Sequence, residues 1–130
     1  MSDNQQIVLN FIQAVNEHDM NKALAFLDAD CFYHNIPMEP VTGTEAIKGV
    51  LDPMLEVSSK VDWNVHNIAE TGTGNVLTER TDRFLINGKW VEVPVMGAFE
   101  IHNGKITAWR DYFDVNQVIN QWPESANHLQ

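Results

Sequence analysis

Residues 76–113 read "VLTERTDRFLINGKWVEVPVMGAFEIHNGKITAWRDYF", and the reading of this stretch decides the fold. Apolar and polar residues alternate through most of it, the period-two pattern of strands with one buried face. Asn87-Gly88 and Asn103-Gly104 interrupt the alternation, and Asn-Gly between such runs is a strong short-range sign of a hairpin. With "TGTG" at 71–74 as a further turn, the pattern predicts an antiparallel meander with strands at about 61–70, 75–86, 89–100 and 105–113. A short helical tail near Val115 to Gln121 follows.

The first half has a different period. Ile7, Val8, Phe11, Ile12 and Val15 recur at helical spacing within residues 4–18, with polar Asn10, Gln13 and Asn16 between them. A shorter helical segment runs from about Met20 to Leu27, and "CFYHNIP" at 31–37 suits a short strand stopped by Pro37. Tyr33 and Asn35 then share a face. "TEAIKGVLDPMLEV" at 44–57 predicts a third helix, with Pro53 kinking it or ending a turn. Helices first and a long meander afterwards imply one α+β domain over residues 1–130. Its strongly curved mixed or antiparallel sheet forms a cone, with the N-terminal helices covering the concave face and a pocket between the two layers.

Composition narrows the function. With 44% hydrophobic and 9% aromatic residues the 130-residue chain can bury one sizeable core. Eighteen acidic against eight basic residues give a formal charge of -10, which repels nucleic acid and anionic lipid. No apolar run approaches the roughly 18 residues of a membrane span. The start "MSDNQQIVLNFIQ" has neither the basic opening nor the apolar run of a signal peptide, so the cytoplasm is expected. Cys31 is the single cysteine and stands in no nucleophile motif; a G-x-S-x-G and a phosphate loop are both lacking. His18, His34, His66, His102 and His128 show no ligand spacing, so neither metal nor cofactor is expected, and the histidines read as structural or exposed.

Register brings the polar residues of the strands together. A two-residue turn at Asn87-Gly88 sets Phe84 opposite Val91, Asp82 opposite Val93 and Arg80 opposite Val95. Arg80 and Asp82 thus lie on an otherwise apolar face with Val76, Phe84, Val91, Val93, Val95 and Phe99, where isolated charges would cost several kcal/mol unless paired. In "ITAWRDYF" at 106–113, Trp109, Asp111 and Phe113 share a side. A three-residue loop with Gly104 at positive φ sets Asp111 opposite Val95, two strand spacings of about 4.8 Å each from Arg80, within reach of a guanidinium leaning over a small valine. Such an arginine between two aspartates has two readings. It is a satisfied ion-pair network without chemistry, or it is an acid-base pair in which one carboxyl keeps its proton while the other stays ionised.

"FYHN" at 32–35, "ERTD" at 79–82 and "WRDYFD" at 109–114 together resemble the limonene-1,2-epoxide hydrolase family in order and spacing. The resemblance implies the cone of the ketosteroid isomerase and SnoaL-like superfamily, and a cofactor-free addition of water to an epoxide. It implies that Tyr33, Asn35 and Asp111 bind the attacking water with Asp111 as general base, that Asp82 is the general acid and that Arg80 bridges the carboxylates. Without the resemblance Tyr33 reads as a core aromatic and Asn35 as a strand-end turn residue. Phe84, Val93, Val95, Phe113, Met54 and Leu55 are then expected to line an apolar cavity for a small cyclic or aliphatic epoxide. Competing readings are an isomerase or cyclase of the same superfamily, and a non-catalytic small-molecule-binding dimer. Family members of this kind are homodimers, and Met96 and Ala98 on the outer sheet face fit that expectation.

Overall fold

The computed structural model describes residues 1–122. In chain order the elements are α1 (Asp3–Asn16), α2 (Met20–Leu24), β1 (Leu27–Asn35), β2 (Val41–Thr42), α3 (Thr44–Val57), β3 (Lys60–Glu70), β4 (Val76–Ile86), β5 (Lys89–His102), β6 (Lys105–Tyr112) and α4 (Val115–Gln121). This is the expected α+β arrangement. The second helix is shorter than its periodicity suggests, because Leu27 already belongs to β1. Pro53 does not end α3, which continues to Val57.

Six strands form one open, mixed sheet in the order β2-β1-β6-β5-β4-β3. β1 pairs parallel to β6 and every other neighbouring pair is antiparallel. The parallel pairing sets Tyr33 beside Trp109 and Asn35 beside Asp111, so the N-terminal strand meets the end of the meander at the future site.

α1 starts at a Ser2 capping box in which Ser2 and Gln5 each satisfy the other's backbone N–H. Its face of Val8, Phe11, Ile12, Ala14 and Val15 is buried. Phe11 meets Trp109 and Phe99 edge-on, with ring centroids 5.1 and 6.4 Å apart, so helix and sheet share one aromatic core. At the other end His18 joins α1 to α3, its Nε2 lying 2.9 Å from the Ser58 carbonyl and 3.2 Å from that of Leu55.

Both Asn-Gly turns are two-residue turns with positive φ at both positions: 52° and 78° at Asn87-Gly88, 50° and 79° at Asn103-Gly104. The pairings Ile86–Lys89, Phe84–Val91, Asp82–Val93 and Arg80–Val95 are as the pattern predicts. The loop at 103–104 is not. Instead of three residues it has two, with His102 opposite Lys105, and the register shifts inside the strands, where Ile101 faces Ile106 and Glu100 faces Ala108. Thr107 is the extra residue of this bulge, and its Oγ1 donates to the Glu100 carbonyl at 3.2 Å. The bulge restores Asp111 to the inner face, opposite Gly97 instead of Val95.

A Cβ at residue 104 would meet no atom within 4 Å, so Gly104→Ala isolates the backbone cost of positive φ. The substitution should destabilise the protein by about 1–2 kcal/mol, read from the urea midpoint at constant m-value. An unchanged midpoint would show that the turn does not need its glycine.

Candidate active site

The inner positions of β4 run Val76, Thr78, Arg80, Asp82, Phe84 and Ile86, all buried. Three of these six are polar, and each has to find its partners inside the protein. Arg80, 1% exposed, uses its whole fork. Nε donates to Asp82 Oδ1 and Nη2 to Asp82 Oδ2, both at 2.9 Å; Nη2 also donates to Asp111 Oδ2 at 3.0 Å, and Nη1 to Thr78 Oγ1 at 3.0 Å. The guanidinium carbon lies 5.4 Å from the Trp63 ring centroid, adding a cation–π contact. Burial opposes the charge on Arg80, but Asp111 and Asp82 outweigh it and raise its pKa, so it stays a cation.

Asp111 is bound from two sides, since its other oxygen, Oδ1, accepts from Trp109 Nε1 at 2.9 Å. Trp109 is itself fully buried, with the Tyr33 ring stacked on it at 3.9 Å and the Phe99 ring at 5.8 Å. Tyr33 Oη donates to Asn35 Oδ1 at 2.9 Å. Burial, with Asp111 beside it, pushes the Tyr33 pKa well above its ordinary value, so the hydroxyl keeps its proton. Burial is likewise the largest influence on Asp82. It raises the carboxyl to about 6 against the opposing pull of Arg80, with the charge of Asp111 adding to the rise. One arginine therefore meets two carboxyls whose surroundings differ, and Asp82 is the one that burial inclines to hold a proton.

These groups open on a cavity of about 360 Å³ under α3 and α4, whose wall includes Tyr33, Asn35, Asp82 and Asp111. The five polar residues singled out from the sequence thus converge, with Arg80 behind the wall rather than in it. Of the expected apolar lining, Phe84, Val93, Val95, Phe113 and Met54 are in place. Leu55 is not. It is buried in the core with Ile47, one residue past Met54 and so about 100° round the helix, while Leu51 belongs both to the core and to the cavity wall. Sequence reasoning missed Met38, Val50, Trp63 and Val118 in the wall. It also left Trp109 without a role, although W-x-D on one strand already places ring and carboxylate on one face.

The described histidines stand apart from the pair. His34 Nε2 lies 2.8 Å from the Met38 carbonyl and His66 Nε2 2.8 Å from Thr81 Oγ1, while His128 falls outside the described residues. Cys31 is buried, and burial together with Asp28 pushes its thiol up to about 12, which keeps it protonated. Among the described residues no helix is long and apolar enough to cross a membrane.

A sequence model of the limonene-1,2-epoxide hydrolase catalytic domain matches residues 2–124. The chain belongs to this family. It is 36% identical over 111 residues to epoxide hydrolase EphG of Mycobacterium tuberculosis, a stretch covering 84% of this chain and 72% of that protein. Among solved structures it is similar to an M. tuberculosis LEH-like epoxide hydrolase, with a TM-score of 0.80 and 32% identity over 92% of this chain and 88% of the other. A Shewanella putrefaciens protein described as a SnoaL-like polyketide cyclase superposes with a TM-score of 0.82 at 20% identity, covering 93% of this chain and 96% of that one. At that identity the likeness is one of fold.

Removing Arg80 would leave two buried carboxyls facing each other. Arg80→Met should cost about 3–5 kcal/mol at pH 7, where both aspartates must either stay unpaired or take up protons, and distinctly less near pH 4. Urea unfolding at the two pH values checks the sign, and an equal cost at both would remove charge as its cause.

Proposed function

We propose that the protein is an epoxide hydrolase that adds water to a small apolar epoxide in one step, giving a vicinal diol. The observation that carries this reading is the Arg80-bridged pair of carboxyls on the wall of an apolar cavity, one inclined to hold a proton and the other held by two donors. Asp111, Tyr33 and Asn35 hold the attacking water. As its oxygen bonds to an epoxide carbon, Asp111 takes the proton, the carbon–oxygen bond breaks, and Asp82 protonates the departing oxygen. The step ends with Asp111 protonated and Asp82 ionised, and exchange with solvent resets the pair. Arg80 bridges both, so the charge that leaves one carboxylate and appears on the other stays beside the same cation.

The orientation of the water follows from the hydrogen bonds already made. Asn35 Oδ1 is engaged by the Tyr33 hydroxyl, so Asn35 offers N–H donors to the water oxygen while Asp111 accepts from the water. The substrate class follows from the wall. At about 360 Å³ the cavity is near the small end of the roughly 300–1,000 Å³ typical of small-molecule sites. Among the described residues its only charged lining residues are Asp82 and Asp111, which disfavour an epoxide bearing a carboxylate or phosphate. An isomerase or cyclase reading has the shared fold behind it, but leaves the bridged carboxyl pair without a task. The reading includes a cytoplasmic setting and needs neither metal nor cofactor.

Asp82→Asn and Asp111→Asn should each lower diol formation at least about 1,000-fold while the proteins stay folded, because an amide replaces neither the acid nor the base. In a single turnover in heavy-oxygen water the label should enter the diol in the first cycle. Label in a peptide carrying either aspartate, with unlabelled first-cycle diol, would replace direct attack by a covalent ester.

Assembly belongs to the same proposal. Leu77, Met96 and Tyr112 are exposed on the outer face of β4, β5 and β6, Met96 paired with Tyr112 and Leu77 with Ala98, where helices on the inner face leave them uncovered. A two-fold dimer packing sheet against sheet would bury them. Sedimentation at micromolar concentration should give about twice 14.8 kDa, and a species of 14.8 kDa alone would refute the dimer.

A further inference from the structure

Gly97 lies in the middle of β5, directly between Thr78 of β4 and Asp111 of β6. A glycine inside a strand weakens it, so its presence asks for a cause, and two are available: an unusual backbone conformation or a close approach by another group. The first does not apply. Among the described glycines positive φ occurs at Gly43, Gly74, Gly88 and Gly104, while Gly97 has ordinary strand geometry that any residue can adopt.

The second applies three times over. A Cβ at this position would collide with Arg80 Nη1, and would come within 2.8 Å of Thr78 Oγ1 and 2.9 Å of Asp111 Oδ1. Real Cβ atoms essentially never show such separations. The three atoms it would strike are the cation, one of its acceptors and the proposed general base. They have little room to yield. The Arg80 side chain is completely buried, held by Asp82 through Nε and Nη2, by Thr78 through Nη1, with the Trp63 ring 5.4 Å away. The struck oxygen of Asp111, Oδ1, is itself held by Trp109 Nε1.

We propose that Gly97 is a positioning residue for the reaction: it leaves a slot in β5 through which the Arg80 guanidinium crosses from β4 to reach Asp111 on β6. Without the slot, the contacts that survive are those to Asp82, which is two residues away on the same strand. The contacts that fail are that of Nη1 to Thr78, whose two atoms the Cβ would strike, and that of Nη2 to Asp111, which lies beyond β5. Arg80 then serves the acid alone, and the base is left with only the Trp109 N–H. Gly97 does not line the cavity, so an effect on the pair can be separated from an effect on substrate binding.

The activity part of this inference rests on the epoxide hydrolase reading; the packing part does not, and the test uses both. Gly97→Ala should lower kcat about 100-fold, as expected for a misplacement of the order of 1 Å, with KM within about threefold of the native value. The pH profile should change on its falling limb. Asp82 must hold its proton to act as acid, so native activity is expected to fall as pH rises through about 6; with Arg80 serving Asp82 alone, that limb moves down. Native kcat with an unmoved falling limb would overturn the proposal.

Thermal unfolding gives the arm that needs no substrate. Ala in ordinary strand geometry is normally the more stable residue, so Gly97→Ala should lower Tm in the native background only because of the collision. In an Arg80→Lys background, where no branched guanidinium fills the slot, the same substitution should lower Tm distinctly less, because only the approaches to Thr78 Oγ1 and Asp111 Oδ1 remain. If Gly97→Ala does not fold, recovery of folding by Arg80→Lys is the expected result. Equal losses in both backgrounds, or failure of both to fold, would show that the space is not kept for the guanidinium. Should no epoxide be turned over by the native protein, the functional reading fails while the thermal arm still decides the slot.

Discussion

Arg80 is the side chain around which the centre of this molecule is arranged. A guanidinium at 1% exposure keeps its charge only if hydrogen-bond acceptors surround it, and stripping even one buried pair costs several kcal/mol. Four strands take part in meeting that demand. β4 supplies Asp82 and Thr78, β6 supplies Asp111, β3 supplies the Trp63 ring, and β5 contributes an empty position at Gly97. The aromatic core continues the chain of dependence, because Trp109 both donates to Asp111 and stacks on Tyr33 and Phe99, while Phe11 of α1 closes on its edge. A rigid aromatic layer thereby sets the position of the carboxylate at the cavity wall.

The same interaction gives two chemically identical groups different surroundings. Asp82 takes two guanidinium bonds and is nevertheless raised to about 6 by burial, whereas Asp111 is held by one guanidinium bond and one indole bond. A buried arginine flanked by carboxylates is by itself compatible with a purely structural network. The two aspartates also form part of the wall of an otherwise apolar cavity, and a network serving only stability would have no need to face that space. On the proposed function stability and chemistry draw on the same atoms, so variants of this cluster report on both unless the two are measured apart.

Much of the fold is legible in the sequence because it rests on local rules. Alternation and the Asn-Gly pairs place four strands and two turns, and the pairing of Arg80 with Val95 and of Asp82 with Val93 follows by counting from Asn87-Gly88. Helical spacing likewise places α1 and α3, as it does the cavity-facing Met54. Counting fails at the next hairpin. The turn at Asn103-Gly104 is tight, and the inner face of β6 is recovered by a bulge at Thr107 that no turn motif announces. The face of Asp111 is therefore correct for a reason other than a longer loop, and its partner is Gly97, not Val95.

What the sequence determined by itself was the identity and strand phase of the candidate site's side chains, since a period of two decides which residues share a face. The R-x-D on one strand, the W-x-D on another and the Y-x-N near the first strand's end are fully visible there. What only the tertiary structure decided was how these strands meet. The parallel pairing that brings Tyr33 to Trp109 and Asn35 to Asp111, the removal of Leu55 to the core, and the slot at Gly97 all depend on contacts between residues far apart in the chain. Such contacts are set by the space left when side chains of several strands are packed at once. That space is a property of no single segment, so no local pattern can carry it.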